Sequence, residues 1–173
     1  MTARHTIAAA FTALFFAVMA HAAVYQEAGA FVAEAFSGKP PEPKMLWLDT
    51  AMQAEIVKIL GHRYPVMRLR YWSDGPRSVW LLEEIGKEEP ITVGIVVNRQ
   101  KIELIKVLEF RESRGGEVRH PFFTRQFEGA GLRDDRELDR SIDGISGATL
   151  SVRALTKLSR LALYLDGKAR VPQ

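Results

Sequence analysis

The amino-acid sequence predicts an α+β fold, an antiparallel β-sheet of about four to five strands packed with helices. Two observations carry this expectation. Four strand-like runs follow one another between residues 66 and 110 with only short turns between them, which leaves no room for the crossover helices of a parallel sheet. Apolar residues at helical spacing stand before these runs, at 50–60, and after them, from Leu150 onward. The chain of 173 residues is 47% hydrophobic and 26% charged, the composition of an ordinary folding domain rather than a disordered or fibrous chain.

The first element belongs to targeting, not to the fold. Arg4 and His5 precede an uncharged apolar run over residues 7–20, and Ala20-His21-Ala22 then has the small-x-small pattern of a signal-peptidase site. The run is shorter than the roughly 20 residues that span a bilayer as a helix. Residues 1–22 are therefore expected to be a cleaved export signal, and the periplasm is the expected location, with inner-membrane association an open alternative. Residues 23–44 come next. Phe31, Val32, Ala35 and Phe36 share a helical face, and a Pro-rich linker over 37–43 stops the helix.

The working domain is expected over 45–167, with 168–173 as a C-terminal tail. Asp49-Thr50 offers an N-cap for a helix carrying Met52, Ile56, Ile59 and Leu60, and Gly61 ends it. The period then changes to two. Met67, Leu69 and Tyr71 alternate with Arg68 and Arg70, and Ser73-Asp74-Gly75-Pro76 turns the chain. Further strands are expected over Ser78–Ile85, Ile91–Val97 and Ile102–Phe110, with Gly86–Pro90 and Asn98–Lys101 as connections. An irregular stretch from Glu112 follows, then the final helix with Leu150, Ala154, Leu155, Leu158, Leu161, Ala162 and Leu165 on one face, ended by Gly167.

Composition excludes several functions. With no cysteine, disulfides, thiolate zinc sites, cysteine-ligated iron–sulfur clusters, c-type haem attachment and a cysteine nucleophile are all ruled out. A formal charge of +3 with both signs spread along the chain gives no electrostatic case for nucleic acid. His62 and His120 lack metal-ligand partners at useful spacing, and Arg133, Arg136 and Arg140 interleave with Asp134, Asp135, Glu137 and Asp139 as in a solvated, self-paired face. No metal is expected. Trp80, Phe122, Phe123 and Phe127 fit a core better than a cofactor stack.

The segment Asp143-Gly144-Ile145-Ser146-Gly147-Ala148-Thr149-Leu150-Ser151 stands apart. It is a polar turn with two glycines running directly into a helix. Such a start offers unpaired N–H groups to an anion, and Ser146 and Thr149 add hydroxyls. A capped helix explains most of the same residues, since Ser and Thr are common N-caps. The residues alone leave both readings open. Ser146 as a hydrolase nucleophile fails, because Gly144–Ala148 is not a Gly-x-Ser-x-Gly elbow, and the Gly-Lys-Ser/Thr ending of a P-loop is absent.

That same run resembles the flavinylation motif of the FMN-binding domain family, which includes the covalent-FMN subunits of the sodium-pumping NADH:quinone reductase and of Rnf-type complexes. The resemblance implies that a dedicated FMN transferase, using FAD, joins FMN through its phosphate to Thr149. Asp143, Gly144, Ser146, Gly147 and Ala148 are the matching recognition and turn residues. Glu112-Ser113-Arg114-Gly115-Gly116 stands where the reductase subunits carry a Glu-Thr-Pro-Gly loop near the flavin; Glu112 and Gly116 correspond, and the Pro is missing. The implied function is an exported electron carrier with FMN on Thr149, exchanging electrons with a membrane or periplasmic partner. The organic cofactor would supply the redox chemistry that a cysteine-free chain lacks. The rivals are a flavin-dependent reductase with its own substrate and a nonredox binding module.

Overall fold

The computed structural model describes residues 23–170. The expected export signal lies outside the described residues, as do residues 171–173 of the expected tail. Ten elements follow in chain order: strand β1 (Ala23–Val24), helix α1 (Ala28–Ala35), β2 (Lys44–Trp47), α2 (Thr50–Leu60), β3 (Arg68–Ser73), β4 (Arg77–Ile85), β5 (Pro90–Asn98), β6 (Lys101–Phe110), α3 (Pro121–Thr124) and α4 (Thr149–Ala169). The expected α+β class is what forms, with every strand pair antiparallel.

The sheet has six strands in the order β1-β6-β5-β4-β3-β2, slightly more than expected. The expected meander is β3 to β6. The two additional strands are its edges: β1 pairs with the end of β6 and β2 with β3. Both are too short to show a period of two, being 2 and 4 residues long.

Asp49 caps α2 as expected, its carboxylate accepting the Met52 N–H at 2.7 Å, and Gly61 ends the helix at φ +88°. Gly167 does not end α4, which continues to Ala169. The glycine instead makes room for the β5–β6 turn, since a Cβ there would meet Gln100 Oε1 at 3.1 Å. Gln100 and Arg170 both bind the buried Asp166, which also accepts a hydrogen bond from Ser78 at 2.6 Å. This polar network ties the last turn of α4 to the sheet.

Alternation along β3 to β6 sends Leu69, Tyr71, Trp80, Leu82, Val93 and Ile95 to one face, where α2 and α4 cover them. The other face carries Val79, Val96 and Leu108, which α1 covers with Phe31 and Val32. A Cβ at Gly94 would fall within the Phe31 ring, so the glycine in β5 is what lets the helix dock this closely. The described residues contain no helix long and apolar enough to cross a membrane.

Candidate functional site

Three segments meet at one end of the sheet: the β4–β5 turn, the loop after β6, and the start of α4. Their junctions are specific. Glu112 Oε1 accepts hydrogen bonds from the backbone N–H groups of Lys87, Glu88 (2.7 Å) and Glu89 (3.0 Å), and a Cβ at Gly86 would meet the same oxygen at 2.8 Å. Burial opposes ionisation of Glu112, but the three amides outweigh it and hold its pKa below the ordinary carboxylate range. Glu112 therefore fastens the turn to the loop.

Gly115 makes the second junction. It lies at φ +86°, and a Cβ there would stand 2.5 Å from Ser151 Oγ and 3.5 Å from Ala148 Cβ. The loop thus rests against the first turn of α4. Gly116, the glycine singled out by resemblance, begins a short 3-10 turn over Gly116–Arg119 and has looser surroundings.

The start of α4 is built as a turn and an open helix end. Ala148 N–H donates to Ile145 C=O at 3.0 Å, with Gly147 at φ +83°, the third position of a turn where a side chain is disfavoured. Ala148 and not a hydroxyl residue is the N-cap, and no side chain caps the helix. Thr149 is the first helical residue and is exposed. The first-turn N–H groups have no acceptor within the helix. Ser151 is largely buried as a residue, while its side chain keeps an open side toward the space over the helix start. The capped-helix alternative is not what forms here.

A cavity of about 600 Å³ opens over this helix start, walled by Lys87, Glu112, Arg114, Thr149 and Ser151. Lys87 pairs with Glu88 at 2.8 Å, while Arg114 has no ion pair among the described residues. A second cavity of about 600 Å³ adjoins it across Glu112–Arg114 and Gly147, and Ser146 lies on its wall. Asp143 and Gly144 line neither cavity and are exposed; the Asp143 N–H donates to Gln126 Oε1 at 2.7 Å, which holds the start of the motif. Of the eight site residues expected from sequence, six line a cavity: Glu112, Gly116, Ser146, Gly147, Ala148 and Thr149.

Residues 86–164 match the family model described as the FMN-binding domain. This stretch of the chain is an FMN-binding domain. No curated protein matches the chain. The residues fit the group. FMN offers a phosphate at one end, and the FMN-binding domain presents an uncapped helix start, a threonine hydroxyl, a serine hydroxyl and an arginine around one cavity. Ligand cavities commonly span about 300–1,000 Å³, so the available space suits the cofactor.

The other expectations resolve simply. Trp80, Phe123 and Phe127 are fully buried in the core, whereas Phe122 is exposed and stacks on His120. His62, just past α2, contacts Glu84 at 2.9 Å. The 133–140 run is only partly self-paired: Arg133 binds Asp135, but Arg136 reaches Glu55, Glu137 binds Arg160 and Asp139 binds Lys101. Sequence reading missed Gln126 and the contact between Gly115 and Ser151, which join distant segments.

Proposed function

We propose that the chain is an exported electron carrier whose FMN is esterified through its phosphate to Thr149 Oγ1. The observation that supports this most directly is the placement of Thr149, an exposed hydroxyl at the first position of an uncapped helix, opening into a cavity. In the transfer, an FMN transferase presents FAD. Thr149 Oγ1 forms a new bond to the flavin-side phosphorus, the pyrophosphate P–O bond breaks, AMP leaves and the hydroxyl proton is released.

The chain's own residues then hold a phosphodiester bearing one negative charge. A helix start favours such an anion by about 0.3–1 kcal/mol when exposed, up to about 2 when partly buried. The Ser151 hydroxyl and the Arg114 guanidinium supply further donors. Asp143 and Gly144, turned outward beside the cavities, are left accessible for recognition by the transferase. The flavin supplies one- and two-electron chemistry when bound, and the domain supplies attachment, orientation and electrostatics. Its partner is a membrane or periplasmic redox protein.

The test is co-expression of the full chain with an FMN transferase, followed by denaturing electrophoresis. Flavin fluorescence is expected to stay with the wild-type band and to vanish from Thr149→Val, while Thr149→Ser, which keeps the hydroxyl, is labelled. Fluorescence retained by Thr149→Val refutes the attachment site.

A further inference from the structure

The matched family residues begin at 86, yet one wall of the site comes from much earlier in the chain. Tyr25 follows β1 directly. Its backbone N–H donates to Leu108 C=O at 2.8 Å, which pins it beside β6, and its side chain lines the second cavity. The Arg119 guanidinium lies over the Tyr25 ring, 5.0 Å from its centroid, and Arg119 Nη1 donates to Gly116 C=O at 3.1 Å. The tyrosine is therefore held by the backbone at one end and meets the Arg119 guanidinium at the other, although the residue is 42% exposed.

The two adjoining cavities differ in chemistry. The first gathers the open helix start, Thr149, Ser151 and Lys87, while Glu112 and Arg114 line both. The second gathers Tyr25 and Phe110 with Arg119 and His120. The open helix start suits the anionic end of a molecule, and Tyr25 and Phe110 suit a flat aromatic end. We propose that the second cavity receives the isoalloxazine ring and that Tyr25, from outside the family domain, is a ring-contacting residue of the flavin site. This rests on the reading that FMN is held at Thr149. Aromatic contact of this kind favours offset-stacked or edge-to-face geometry, which orients a tethered ring without being needed for its retention.

The proposal has an optical readout. A phenol in contact with isoalloxazine quenches its fluorescence by donating an electron to the excited ring; indole does so at least as well, and a phenyl ring does not. Wild type, Tyr25→Phe, Tyr25→Trp and Tyr25→Ala are co-expressed with the transferase, and emission of the native proteins is divided by covalent flavin content measured after denaturation. Emission per flavin is expected to rise several-fold in Tyr25→Phe and Tyr25→Ala and to stay at or below the wild-type level in Tyr25→Trp. Equal emission per flavin among the loaded proteins overturns the proposal while leaving attachment at Thr149 standing. Should Tyr25→Ala load poorly, the Phe and Trp variants decide by the same order. A wild-type chain without covalent flavin overturns the attachment reading and this one with it.

Discussion

Gly115 and Gly116 are neighbours, yet the fold asks different things of them. Gly115 sits at φ +86°, and a Cβ would come within 2.5 Å of Ser151 Oγ and 3.5 Å of Ala148 Cβ. At Gly116 the nearest atom to a Cβ is Arg119 Nη1 at 3.1 Å, the far end of a flexible side chain. For Gly115→Ala, left-handed backbone costs about 1–2 kcal/mol, and overpacking costs about 1–3 kcal/mol. Ser151 has no hydrogen bond to lose by rotating, so the second cost falls at its low end, and the expected loss is about 2–3 kcal/mol. At roughly 2–4 °C per kcal/mol for a chain of this size, Tm falls by about 4–12 °C. Gly116→Ala changes stability by no more than about 0.5 kcal/mol, because alanine's advantage over glycine in a helical turn offsets the displaced Arg119. Urea titration of the unloaded chains measures both. Because the strained loop also walls the Thr149 cavity, Gly115→Ala is expected to accept less flavin under matched co-expression. Wild-type stability in Gly115→Ala, or a greater loss in Gly116→Ala, would show that the loop is not seated on α4 as described.

Glu112→Gln is expected to destabilise the chain at neutral pH by about 1 kcal/mol, since a carboxylate accepting backbone N–H bonds at a partly exposed site is replaced by a neutral amide. The folded pKa of Glu112 is lowered, so its contribution is complete above the unfolded value of about 4.3 and is lost as pH falls through the folded value. The gap between wild type and Glu112→Gln in urea titrations should therefore close on acidification, and a constant gap refutes the assignment. Arg99 and Gln100 form the β5–β6 turn with φ +50° and +61°, a backbone that glycine adopts without strain; Arg99→Gly should raise stability by about 0.5–1 kcal/mol, read as a higher urea midpoint with unchanged m-value, and a lowered midpoint refutes this. Phe31→Ala should cost about 3 kcal/mol and make Gly94→Ala cheaper in that background than alone, and additivity of the two would show that the Phe31 ring does not occupy the space above Gly94.

Legibility followed the range of the interactions. The meander was readable because alternation in Met67–Tyr71 and Ile91–Val97 is a local consequence of having one face against a core. Asp49 and Gly61 were readable because caps act within one turn of their helix. Strands β1 and β2 were not, since two and four residues carry no measurable period and owe their pairing to β6 and β3. Gly167 misled for a related reason: a glycine near a helix end ordinarily signals its stop, but here it admits Gln100 from a turn far away in sequence.

The site divides along the same line. The motif could be recognised from nine contiguous residues because a turn followed by a helix start is local chemistry, and the structure places Gly147, Ala148 and Thr149 in that turn and start. What the motif needs from elsewhere was invisible. Gln126 holds Asp143, Glu112 gathers three amides of the β4–β5 turn, and Gly115 gives Ser151 its close neighbour. Each contact joins residues that no spacing rule connects. A threonine at the start of any open helix has the same hydroxyl and the same free amides; what distinguishes Thr149 is that three separate segments converge to build a cavity over it. The proposed acceptor is marked out by that convergence as much as by its motif, so variants such as Gly115→Ala and Glu112→Gln, which leave every motif residue intact, test the proposal alongside changing Thr149 itself.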